Sequence, residues 1–277
     1  MPTRHHARAG CCLAAAIALS TFGTCARAEG PQDRYWAELE YFFPTISSTA
    51  RLDFPNTNIP GTSIALEDDL GLSDRKGTPY LLLGMRLAEQ WRLEFEYYQL
   101  NRSASRTISR AINWGDVTFP ASATLHSRFD TDVYRLTGGW SFYRTRQAEA
   151  GASLGLHVTH FDMALAGQGN GPLGLAFQNE GRDQLVPLPT IGLYGNYLLS
   201  DSWVLRGRVD YLSLNYESYD GSLTNWMAAV DWRITPNWTA GVGYRYVDYK
   251  LESTKESFKG RVQYKFKGPT LYMGATF

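Results

Sequence analysis

Cysteine is nearly missing from this chain. Only Cys11, Cys12 and Cys25 occur, so nothing after residue 25 forms a disulfide, and a small stapled secreted domain is excluded. Long apolar runs are missing too. The stretch CCLAAAIALSTFG, Cys11 to Gly23, falls short of the roughly 18 apolar residues that a spanning helix requires, and no later stretch approaches that length. Charge of one sign is also lacking: 27 basic residues balance 27 acidic ones. That balance gives neither a nucleic-acid surface nor a polybasic lipid-surface segment. There is no Cys/His zinc spacing, no phosphate-cradling glycine loop and no GxSxG elbow, so neither a metal nor a cofactor is expected.

What is present begins with Arg4 and Arg8, the short apolar run, and Ala26-Arg27-Ala28 ahead of Glu29. This is the pattern of a secretory signal peptide, residues 1–28, with a small-x-small cleavage site. Lipid attachment at Cys25 is disfavoured, because Phe22 and Thr24 stand where an aliphatic and a small residue belong. The remaining residues, 29–277, read as one domain, with 24 basic residues against 27 acidic ones and a net charge of −3.

That domain alternates. In WTAGVGYRYVDY, Trp238 to Tyr249, every second residue from Trp238 is Trp, Ala, Val, Tyr and Tyr. Successive side chains of a strand point to opposite faces, so the segment has one oily and one polar face. Ten such segments occur, each long enough for a crossing of about 9 to 11 residues. Short connections at 88–90, 144–147, 200–202 and 235–237 alternate with long ones running roughly over 44–78, 103–124 and 167–186 and with shorter ones around 219–221 and 254–260. This is the rhythm of an all-β, transmembrane, antiparallel up-and-down barrel of ten strands, with about eight to twelve compatible.

Tryptophan follows three short turns directly, at Trp91, Trp203 and Trp238, and Trp140 and Trp232 lie within a few residues of a turn. Indole favours the hydrocarbon–water boundary, so these five predict an aromatic girdle. In the last strand the oily positions are even through Val262, Tyr264 and Phe266 but odd from Leu271. That parity slip predicts a β-bulge at Gly268-Pro269.

The faces opposite the oily ones carry Glu38, Glu40, Arg86, Arg92, Glu94, Glu96, Arg135, Glu149, Arg206, Arg208, Asp210, Asp231, Arg233 and Arg245. Seven acids and seven arginines suit a water-touching lumen cross-linked by ion pairs; they would ruin a dry core. Gly151, Gly155, Gly241 and Gly243 are expected to leave room for the arginines. A soluble lipocalin-like barrel would need the reverse arrangement, with charge outside. In a ten-stranded bore such side chains leave a narrow passage at most.

The leader, the alternating strands, the turn rhythm, the terminal Phe277 and the stretch GTSIALEDDLGL (Gly61–Leu72) followed by TPYLLLGMRLAEQWRLEFEYYQL together resemble the small Gram-negative outer-membrane β-barrel proteins, the OmpA-like and OmpW-like porin class. The resemblance implies residence in the outer membrane, contact with its lipid and lipopolysaccharide, and delivery to the barrel-assembly machinery through the C-terminal strand ending at Phe277. It carries over no catalytic residue. The function it implies is a structural surface protein or a narrow, low-conductance channel.

The alternative is a hydrolase at the extracellular mouth, built from His126, His157, His160, Asp130, Asp132 and Asp162, with Ser127 and Ser153 as the nearest serines. A serine–histidine pair must approach to about 2.6–3.2 Å, yet His157 and His160 alternate to opposite faces. The run Glu67-Asp68-Asp69 reads either as a divalent-cation site or, by preference, as a solvated loop.

Overall fold

The computed structural model describes residues 34–53, 60–171, 174–216, 219–255 and 258–277. The leader, 1–28, lies outside the described residues. Among those described, no helix is long and apolar enough to cross a membrane.

The wall is built from β1 (Tyr35–Phe42), β4 (Thr78–Ala88), β5 (Trp91–Thr107), β8 (Thr124–Arg144), β9 (Ala148–Gly171), β10 (Gly174–Ser200), β11 (Trp203–Tyr216), β12 (Tyr219–Arg233), β13 (Trp238–Lys255) and β14 (Phe258–Thr276). Each pairs antiparallel with the next, and β1 pairs with β14, so ten strands close into a barrel. Closure extends to the last residue: the Arg34 and Tyr35 amides donate to the Phe277 carbonyl at 3.0 Å, and the Phe277 amide donates to Tyr35 O at 2.9 Å. The short turns and both described ends of the chain share one end of the barrel, called here the turn end.

Strands of up to 27 residues are far longer than a bilayer crossing of about 9 to 11. The last of the three expected long loops is therefore wall, and the other two are wall in part. Residues 103–107 continue β5, and 167–171 and 174–186 complete a β9–β10 hairpin. Beyond Pro44, β2 (Thr45–Asp53) pairs with β14 in the register that β1 uses, Phe42 opposite Thr270 and Thr45 opposite Lys267. Gly268 lies against this crossing, where a Cβ would stand 2.1 Å from Phe43 O.

At the end away from the turns, the gap between β2 and β5 is filled by β3 (Ile64–Ala65), paired to β2, and α1 (Leu66–Leu70), which turns off at Gly71 in the left-handed region. A short hairpin, β6 (Ile112–Trp114) and β7 (Val117–Phe119), turns through Gly115 at φ 65° and bridges to β9. The apolar side chains of these pieces, Ile64, Leu66, Leu70, Ile112 and Phe119, are fully buried.

The expected bulge at Gly268-Pro269 is absent. Pairing of β14 with β13 keeps one register from Phe258 to Ala275, and the shifts that occur lie near short turns, at Arg86/Ala88, Ser141/Tyr143 and Leu198/Ser200. The parity slip has another cause. Even-numbered residues of β14 point inward throughout: Tyr272 and Thr270 toward the turn end, Phe266 and Tyr264 beyond. Outward, Met273 and Leu271 give way to Lys267, Lys265 and Arg261. Both surfaces exchange character where the wall leaves the hydrocarbon, so the oily parity flips while the backbone stays regular.

Candidate functional site

The bore has two layers. Near the turn end, all fourteen of the expected lumen charges point inward, and most are joined across the bore. Arg208 on β11 reaches Glu94 on β5 at 2.7 Å, Glu96 at 3.4 Å and its own neighbour Asp210 at 3.0 Å. Arg135 bridges Glu96 at 3.1 Å and Asp210 at 2.5 Å. Arg245 reaches Glu40 at 3.3 Å and Glu96 at 3.8 Å. Glu96 thus gathers three guanidinium groups and also accepts the Tyr80 hydroxyl.

Closer to the turns, Arg86 holds Glu149 at 3.0 Å, Arg92 holds Glu94 at 2.8 Å, and Arg206 spans Glu38 and Asp231. These charges, with Arg233 at the rim, line a cavity of about 140 Å³. The luminal glycines do not make room for arginine directly. A Cβ at Gly151 would stand 2.2 Å from the Tyr194 ring, at Gly241 2.2 Å from Tyr272, and at Gly84 2.0 Å from Trp36. Each glycine sits opposite its ring in the ladder. The rings in turn carry the cations: Arg92 lies 3.8 Å from the Tyr194 centroid and Arg206 5.0 Å from that of Tyr272. Gly155 and Gly243 instead face the Thr190 and Thr270 hydroxyls.

Beyond this layer aromatic rings meet inside the bore. Tyr80 stacks on Tyr98 at 5.1 Å between centroids; Tyr98 meets Phe266 at 6.0 Å and Phe266 meets Tyr264 at 5.1 Å. Tyr264 then contacts Phe129 at 5.4 Å and Phe161 at 6.4 Å, and Phe161 contacts Tyr249 at 5.2 Å. Phe161 on β9 and Tyr264 on β14 stand five strands apart in a ring of ten, so rings from opposite walls touch. Sequence reasoning missed this septum because it took Tyr264 and Phe266 as part of an outward face. Their parity with inward Tyr272 was the available signal.

A clip closes the septum on its outer side. Arg102, buried on β5, reaches Glu67 Oε1 at 2.6 Å and Ser48 Oγ at 2.9 Å, while Glu67 Oε2 accepts the Ser48 amide at 2.8 Å. Asp69 takes the Ala65 amide at 2.9 Å and Arg110 at 2.7 Å. The acidic run is thus neither solvated throughout nor assembled as a cation site: Glu67 ties α1 to β5 and β2, Asp69 joins the Ala65 amide and Arg110 beyond β5, and Asp68 alone is exposed. Nearby, Asp53 accepts the Gly61 amide at 2.7 Å, and its hydrogen bond from Arg51 holds its pKa below the ordinary carboxylate value.

On the outside, Trp91, Trp140, Trp203, Trp232 and Trp238 are all exposed at the turn end, with Trp91 opposite Trp140 and Trp203 opposite Trp232. A second aromatic level, Tyr41 with Phe43 and Tyr97 with Tyr134, each pair 4.9 Å apart, stands on the far side of an apolar band.

The residues weighed for hydrolysis do not converge. His157 and Ser153 share the inward face but lie four residues apart, about 13 Å along a strand. His126 is exposed, whereas Ser127 is buried on the other face. His160 and Asp132 are both partly exposed on the outer wall, 3.7 Å apart; Asp130 and Asp162 sit beside them, both ion-paired to Arg128.

Compared with solved structures, the chain aligns with the outer membrane protease OmpT from Escherichia coli at a TM-score of 0.56 and 11% identity, over 89% of this chain and 98% of that one. The chain has the fold of an outer-membrane β-barrel. The toluene transporter TodX of Pseudomonas putida aligns at a TM-score of 0.36 and 10% identity, over 88% of this chain and 90% of that one. OprG from Pseudomonas aeruginosa aligns at 0.36 and 12%, over 90% and 98%. No family model and no curated protein matches the chain.

Proposed function

We propose that the chain is an outer-membrane barrel of structural type: a sealed, charge-braced wall that presents its extracellular end at the cell surface and conducts no solutes. Residues 1–28 act as the secretory leader, the turn end faces the periplasm, and the last strand with Phe277 addresses the barrel-assembly machinery. The observation that carries this reading is the contact of Phe161 with Tyr264 across the full bore, with Phe129 and Tyr249 beside them. The charged layer beneath serves as an internal brace, and the five tryptophans set the depth of the wall in lipid. Between the two versions that the sequence left open, this septum favours the surface protein over the channel.

Planar-bilayer recording of the refolded protein tests it. A flat trace at physiological salt is expected, and regular single-channel steps from wild-type protein would overturn the sealed reading. Replacing Phe161 and Tyr264 together with alanine should introduce conductance where wild type shows none.

A hydrolase at the mouth is the second reading. The OmpT likeness is one of fold, and the separation of Ser153 from His157 weighs against a serine–histidine centre. Turnover of lipid or peptide substrates by purified protein, abolished by His157→Ala or His126→Ala, would reinstate it.

A further inference from the structure

The cavity at the turn end divides its polar groups unequally. Four carboxylates line it, and each is already held: Glu38 and Asp231 by Arg206, Glu94 by Arg92, and Glu149 by Arg86. Three arginines therefore account for all four acids. The fourth arginine of the lining, Arg233, has no ion pair, and its side chain makes no hydrogen bond among the described residues; the same holds for the side chains of Thr239 and Asn196. The acceptors are taken and the donors are spare. Arg233 and Thr239 stand directly opposite each other in the β12–β13 ladder, at the mouth. Asn196 on β10 lies deeper, opposite Arg206, where it also borders a smaller cavity of about 40 Å³ toward Arg208 and Asn225. Trp36, Leu198 and Val204 complete the lining, so apolar wall stands beside the donors. At about 140 Å³ the space is several times the ~10–15 Å³ that one water needs.

We infer that this cavity binds an organic monocarboxylate. The carboxylate sits on the Arg233 guanidinium, whose planar fork matches both oxygens, and the Thr239 hydroxyl donates beside it. Asn196 takes a polar group further along the ligand, and Trp36 with its apolar neighbours covers the carbon skeleton. The four lining carboxylates select against a dianion, because each repels a second negative charge. A bare inorganic anion leaves the apolar wall without a partner.

The test uses the full mature chain folded in a neutral maltoside detergent, with N-acetylglycine as the probe and ligand-detected NMR as the readout. N-acetylglycine should bind saturably, whereas N-acetylglycinamide, the same skeleton without the charge, should not. Arg233→Ala should weaken binding by about tenfold or more, the change expected when charge-assisted hydrogen bonds are lost. Arg146→Ala, in an exposed turn at the same end, should leave binding unchanged. Because Arg233 braces no acid, its loss should not unfold the barrel, and heat-modifiable migration on gels reports that each variant is folded. N-acetyl-trialanine separates the two sources of such a group: tighter binding than N-acetylglycine assigns the site to peptide ends, and equal binding assigns it to small free acids. The inference fails if the amide binds as well as the acid, if folded Arg233→Ala binds like wild type, or if equimolar chloride or phosphate displaces the acid. Access from the periplasm rests on the outer-membrane reading above, whereas binding in detergent does not, so each can fail without the other.

Discussion

Glu96 is the residue on which the charged layer turns, because Arg135, Arg208 and Arg245 all converge on it and Tyr80 donates to it. Removing its charge takes one carboxylate from each of three buried guanidinium groups and leaves Arg135 with Asp210, Arg208 with Glu94 and Asp210, and Arg245 with Glu40. Breaking a buried ion pair on one side costs about 3–5 kcal/mol, against roughly 0–1 kcal/mol for an exposed pair. Glu96→Gln should therefore lower the denaturant midpoint of the detergent-folded barrel substantially, and Arg51→Ala, which breaks an exposed pair with Asp53, should hardly move it. Equal effects from the two would mean that the inner charges are solvated rather than braced. The inward facing of Glu96 was legible in the sequence, because lipid admits no charge on the outer face and alternation then fixes where each charge points. Its partners were not legible. Which arginine meets which acid depends on the ring order of strands and on rings such as Tyr194 and Tyr272 seated over glycine.

The elements divide into those that lipid disciplines and those that it does not. Outward faces such as Leu136, Trp140 and Phe142 on β8, or Ile191, Leu193 and Tyr197 on β10, could be read by period alone. β3, α1 and the β6–β7 hairpin could not, since each is too short to show a period and its apolar side chains insert into a bore already lined by other strands. The clip that holds them depends on Arg102 and Glu67, 35 residues apart in sequence. Arg102→Ala should free the segment 60–77, and limited proteolysis of intact cells or proteoliposomes should cut there in the variant while sparing wild type; identical digestion patterns would show that α1 is held without the clip. At the other end, deletion of Phe277 removes backbone bonds that close β1 on the chain terminus. The heat-modifiable fraction should then fall, and an unchanged fraction would show that the seam closes without them.

As a whole the molecule is two barrels end to end with opposite solvent logic and one continuous register. In the lipid half, apolar side chains face out and ion pairs face in; in the outer half, charges face out and aromatic rings meet at the centre. The hydrophobic effect acts on each half through the medium outside it. A reading that assumed one medium along the whole strand therefore found a bulge at Gly268-Pro269 where only the surroundings change. Because residues 29–277 contain no cysteine, this inversion is open to direct inspection by single cysteines along β14. The decisive measurement is labelling of Met273→Cys, Leu271→Cys, Phe266→Cys, Lys265→Cys, Tyr264→Cys and Arg261→Cys in proteoliposomes with a membrane-impermeant maleimide, paired with quenching of a bimane label by brominated acyl chains. Positions 273 and 271 should be quenched by lipid, 265 and 261 labelled by the impermeant reagent, and 266 and 264 reached by neither. Rapid aqueous labelling at 264 and 266, with 261 and 265 protected, would contradict the inverted barrel and the sealed bore together.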